Sequence, residues 1–183
     1  MKNSLIIIFL LIISNKVSFA QELDISAKNI AIDKKGESTK FEGDVTIKDK
    51  DNNVIKTSFA EYDRKNKFFL LKDNITFIDK YGNEFRSNEA TYDEKLKILK
   101  SNGKTNFTTS KGYQVEAEDI ILDNKKELVL SQKEAILTDD QNNTIYLDNF
   151  RYEKKNNIFK SIGKIKISDN KENSYEFTQI YID

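Results

Sequence analysis

The sequence repeats itself every thirty residues, and no insertion interrupts the phase. Rows of that length place Asp33, Asp63, Asp93, Asp123, Glu153 and Asp183 in one column. The residue before the acid is Ile32, Tyr62, Tyr92, Leu122, Tyr152 or Ile182, and two positions earlier stands Ile30, Ala60, Ala90, Ile120, Phe150 or Ile180. Two residues after the acid comes lysine in five successive rows: Lys35, Lys65, Lys95, Lys125 and Lys155. A period in this range marks an array of supersecondary units, none of which can bury its apolar face alone.

Each unit reads as two strands and two turns. In the first arm Phe41, Val45 and Ile47 are set among Glu42, Asp44, Thr46 and Lys48, and from Asp44 on the two kinds alternate, the two-residue period of a half-buried strand. Later copies put Ile75 and Phe77, Thr105 and Phe107, Ala135 and Leu137, and Ile165 and Ile167 in the same two columns as Val45 and Ile47. The arm stops at D-K-D-N-N, D-K-Y-G-N, T-S-K-G-Y, D-D-Q-N-N or D-N-K-E-N, segments rich in residues that tolerate turn geometry. The return arm resumes with Ile55, Phe85, Val115, Ile145 or Tyr175 and closes at the acid and lysine turn.

Gly43, Gly103 and Gly163 recur within the first arm, and Gly82 and Gly112 in the turn, which reads as bends or bulges and not as a catalytic loop. Asp73 and Lys133 depart from the first of these columns. The return arm is apolar at odd numbers near Ile55 and at even numbers by Ala60 and Tyr62, and a straight strand cannot change faces midway, so a kink is expected there. Proline is absent, as dense ladder hydrogen bonding requires. The expected fold is all-β: an antiparallel meander of roughly ten or eleven strands, folded lengthwise at the kinks into a trough and not a closed small barrel. A parallel solenoid is the runner-up.

A leader precedes this array. Met1, Lys2 and Asn3 are followed by an apolar run from Leu5 to Ile13, too short for the roughly 20 residues that span a bilayer. Ser18-Phe19-Ala20 then reads as a signal-peptidase site, with residues 1–20 removed before Gln21 and residues 21–183 forming one exported domain; an uncleaved anchor is the alternative. Of 30 basic and 30 acidic side chains, Lys2 and Lys16 leave with the leader, so the mature net charge is −2 and gives no case for nucleic-acid binding. The chain contains no cysteine, so it has no disulfide, no thiolate metal site and no lipid attached through an N-terminal cysteine.

The repeated A-x-Y-D, the G-D-V and G-K-I starts ten residues later and the D-x-x-x-N turn resemble the OstA-like repeat of the LptA family, over the whole mature chain. The resemblance implies an open β-jellyroll of about five in-phase units whose apolar interior shelters the acyl chains of lipopolysaccharide (the lipid A part) in the periplasm. It also implies end-to-end joining with other OstA-like domains of the LptA, LptC and LptD type. A free periplasmic carrier and an N-terminal docking domain of an outer-membrane-associated assembly protein both remain open.

The candidate lipid-binding interior is the apolar set Phe41, Val45, Ile47, Ile55, Phe59, Phe69, Leu71, Ile75, Phe77, Phe85, Leu99, Phe107, Val115, Ile145, Phe159, Ile165 and Ile167, whose plain reading is protein core. Lys35, Lys65, Lys95, Lys125 and Lys155 are candidates for headgroup contacts along a rim, against the plain reading of a solvated turn. The acids beside them are explained by side-chain bonds to the turn backbone. Without histidine or cysteine the chain lacks the commonest general base, the commonest metal ligand and the thiol nucleophile, and no pair of carboxylates is singled out. The expectation is a non-enzymatic protein with no cofactor and no metal; a structural repeat exoprotein without a lipid ligand is the rival.

Overall fold

The computed structural model describes residues 23–171 and 173–182; the expected leader and its expected cleavage site lie outside them. Its strands are β1 (Leu23–Ser26), β2 (Asn29–Ile32), β3 (Ser38–Asp49), β4 (Val54–Asp63), β5 (Phe68–Ile78), β6 (Glu84–Asp93), β7 (Ile98–Ser101) and β8 (Lys104–Thr108). They continue with β9 (Gln114–Glu118), β10 (Ile121–Asp123), β11 (Leu128–Ser131), β12 (Ala135–Thr138), β13 (Thr144–Leu147), β14 (Phe150–Glu153), β15 (Ile158–Ser168) and β16 (Ser174–Ile182). All belong to one sheet, and every pairing is antiparallel. These pieces form eleven arms in meander order, because β1 with β2, β7 with β8, β9 with β10, β11 with β12 and β13 with β14 are each one arm broken at its middle.

Register at the middle of the arms explains the folding. Between β3 and β4 the partners pass from Glu42 and Phe59 to Val45 and Thr57, so Gly43 and Asp44 together face Ser58. Asp73 and Asn74 face Asn88 in the same way, and Gly163 and Lys164 face Thr178. Two residues against one is a bulge, which bends the strand and raises its twist. Gly43 (φ 74°), Asp44 (φ 50°), Asp73 (φ 64°) and Asn74 (φ 54°) all adopt the left-handed region. Aspartate and asparagine enter that region more readily than other side chains, so Asp73 can stand in the glycine column. Lys133 bends differently: its amide donates to the Ser131 hydroxyl oxygen at 3.1 Å, and that hydroxyl donates to the Glu118 carbonyl at 2.8 Å.

The bends divide the sheet into two facing leaves. One leaf ends in the turns headed by Asp49, Asp79, Thr109, Asp139 and Asp169, and the other in the acid and lysine turns. The first kind is held by its own side chains. Asp79 Oδ1 accepts the amides of Tyr81 and Asn83 at 2.9 Å each, and Asn83 Nδ2 donates to Asp79 Oδ2 at 2.9 Å. Asp49 with Asn53, Asp139 with Asn143 and Asp169 with Asn173 repeat the arrangement. At the opposite lip Asp63, Asp93 and Asp123 accept the amides of Asn66, Leu96 and Lys126, the turn role read from the acidic column.

Candidate functional site

The space between the leaves is filled by the apolar columns. Fifteen of the seventeen nominated interior residues are at most 7% exposed, and Ile167 packs against them partly buried. Phe59 departs from this set. Its cross-strand partners Glu42 and Lys72 are both exposed, and directly paired residues share a face, so Phe59 lies on the outer surface. The change of face falls before Phe59, with Thr57 and Ala60 inside. Ala60, Ala90, Tyr92, Ile120, Leu122, Phe150 and Tyr152 also belong to the interior, and the repeat columns already marked these positions as apolar. Phe107 of one leaf meets Tyr152 of the other with ring centroids 5.6 Å apart, so the leaves touch through their side chains.

Three buried serines had no place in the sequence reading. Ser101, Ser131 and Ser161 share one repeat column at the bends: Ser101 Oγ accepts the Ile120 amide at 2.8 Å, and the Ser131 and Ser161 hydroxyls donate to the Glu118 and Asn149 carbonyls at 2.8 and 2.7 Å. They satisfy backbone groups that the broken ladder leaves over. Their common period was the signal available in advance.

Lys35, Lys65, Lys95, Lys125 and Lys155 are all exposed on one lip, and Lys125 Nζ donates to the Lys95 carbonyl at 2.6 Å. The lip is also joined to the opposite one, by residues outside these columns. Lys80 Nζ lies 2.8 Å from Glu127 Oε1, and the Tyr81 hydroxyl donates to the same oxygen at 2.5 Å. Lys154 Nζ lies 3.2 Å from Asp79 Oδ2 with both side chains buried, and donates to Asn124 Oδ1 at 2.8 Å. The Lys80 and Tyr81 bonds hold the Glu127 carboxyl below its ordinary pKa. Burial outweighs Asp79 and lowers the pKa of the Lys154 ammonium, and it pushes the Tyr152 hydroxyl beside them up to about 12.

At the ends of the sheet the same interior face is uncovered. Ile30 and Ile32 pair with the buried Phe41 and Thr39 yet are 56% and 58% exposed. Tyr175 and Phe177 pair with the inward Ile167 and Ile165 and are 47% and 48% exposed. Among the described residues no strand pairs with the outer side of β16. Nor do the described residues place three or more His, Cys, Asp or Glu side chains where they could hold a metal ion.

No protein-family model matches the sequence, and a search of curated proteins finds no match. Among solved structures the chain is similar to LptH of Pseudomonas aeruginosa, described as the LptA-homologous periplasmic component of the lipopolysaccharide transport device, at 11% identity over 88% of this chain and 97% of that one, with a TM-score of 0.36. It is also similar to the TCP10 domain of Danio rerio CPAP in complex with a STIL peptide, at 7% identity over 85% of this chain and 99% of that one, with a TM-score of 0.17. Both scores are low, and the all-β assignment rests on the chain's own sheet.

Proposed function

We propose that this chain is a non-enzymatic periplasmic carrier or docking domain that takes the acyl chains of lipopolysaccharide between its two leaves and passes them along a row of like domains. The observation that carries the reading is the continuity of the apolar interior: it runs the length of the sheet and emerges uncovered at Ile30 and Ile32 on one edge and at Tyr175 and Phe177 on the other. An interior exposed at both edges, beside an unpaired strand, suits β-augmentation by an equivalent edge, which would continue both sheet and interior. The OstA-like repeat motifs supply the lipid class.

A photo-crosslinking residue at Phe77 or Phe107 should capture lipopolysaccharide, and one at Thr46 or Thr76, on the opposite parity, should not. Equal labelling of both faces sinks the carrier reading. The close packing of the interior favours a second reading, a structural repeat protein with no lipid, which predicts capture at neither face. Replacing Phe177 with glutamate should abolish end-to-end association in size-exclusion chromatography and leave the β-type circular dichroism unchanged.

A further inference from the structure

The two rows of turns form the lips of the folded sheet, and near the middle of the molecule they meet. Contacts along one lip follow the repeat: Asn53 Oδ1 accepts the Lys80 amide, and Asn83 Oδ1 accepts the Ser110 amide one unit later. The contacts across the mouth do not. Lys80 and Tyr81 reach Glu127, and Asp79 reaches Lys154, in pairings that the other units do not repeat among the described residues. Beside this clasp are donors without partners. Asn124, whose Oδ1 accepts from Lys154, has a buried Nδ2 that makes no hydrogen bond, and Lys97, whose carbonyl accepts the Asn124 amide, has a buried Nζ with no partner.

An ammonium group left buried and unpaired is costly, so Lys154 gives up Asp79 readily only when another anion takes its place. A phosphate carries up to about two negative charges and three strong acceptor oxygens, enough to replace a carboxylate and to engage the idle donors as well. The half-exposed Lys80 offers a first point of exchange. In a row of joined domains the edges of the sheet are covered, which leaves the mouth as the way in from the side. We infer that the clasp is an anion-operated gate: the headgroup phosphates of a lipid replace Glu127 and Asp79 on Lys80 and Lys154, engage Asn124 and Lys97, and part the lips for the acyl chains. The inference rests on the carrier reading.

The absence of cysteine makes the test clean. Tyr81→Cys and Glu127→Cys, combined with a photo-crosslinking residue at Phe77, are bridged by a short, reducible bis-maleimide. Bridging should cut capture of lipopolysaccharide at least tenfold, and reduction should restore it. Lipopolysaccharide added first should slow bridging about fivefold, whereas its dephosphorylated form, a neutral alkyl maltoside and inorganic phosphate at equal concentration should not. Lys97→Met, which removes a buried donor that the closed state leaves without a partner, should not lower the thermal midpoint and should weaken the slowing. Undiminished capture by the bridged protein overturns the gate and leaves the carrier standing; no capture by the unbridged protein overturns both. Equal slowing by inorganic phosphate overturns the lipid headgroup as the operating anion, and unchanged slowing in Lys97→Met overturns the anion site.

Discussion

Phe85 and Tyr175 occupy the same column of the repeat, the first inward position of a return arm, yet one is 0% and the other 47% exposed. Phe85 sits between Phe77 and Phe107 on strands either side of it. Tyr175 has Ile167 on one side and no strand on the other among the described residues. Identical local instructions thus produce core in the middle and an uncovered apolar edge at the end. Burial in a repeat array belongs to the pair of neighbours and not to the unit.

Truncating the two residues should have very different costs. Phe85→Ala should cost about 4 kcal/mol of stability in chemical denaturation, the usual toll of a large buried ring. Tyr175→Ala should cost the separated domain less than about 1 kcal/mol, because half the ring already meets water. Equal losses would mean that the edge is covered in solution.

The turn acids differ in the same way. Asp79 and Asp169 head the same five-residue turn, but only Asp79 also faces a buried ammonium. Asp79→Asn should cost about 3 kcal/mol, since Lys154 would be left unpaired. Asp169→Asn, at the exposed end, should shift the denaturation midpoint far less.

The bend glycines come third. At Gly163 (φ 133°) an added Cβ would meet Asp148 Oδ2 at 2.8 Å, and Gly163→Ala should cost about 2 kcal/mol. At Gly103 (φ 81°) the space is open, and alanine should cost about 1 kcal/mol of backbone strain alone.

The smallest effect tests the clasp by titration. The folded pKa of Glu127 lies below its ordinary value of 4.5, so the stability it contributes is fully present above that pH and is lost as pH falls through the folded pKa. The pair is partly exposed, and the gap between the wild type and Glu127→Gln should be about 0.5 kcal/mol above pH 4.5 and shrink below it. A gap that does not change with pH would show that Glu127 acts by packing.

Much of the fold was legible because its devices are local. The Asp79 and Asn83 turn bonds span four residues, and the bulge at Gly43 and Asp44 needs only side chains that permit positive φ. The candidate interior was legible for the same reason, through alternation along single arms. Phe59 was misplaced because the bend moves the change of face by one or two residues, and only pairing with Glu42 and Lys72 reveals on which side of it the ring falls.

The amino-acid sequence alone therefore determined the period, the two kinds of turn, the sites of bending and the apolar face, each a matter of backbone torsion and hydrogen bonding within a few residues. Only the tertiary structure decided that the lips touch and which residues clasp them. Lys80 and Tyr81 meet Glu127 across 47 and 46 residues of chain, and no periodic column contains that pairing. It arises because the accumulated twist of the bent sheet brings turns of different units opposite one another, a sum over many strands that no single unit encodes.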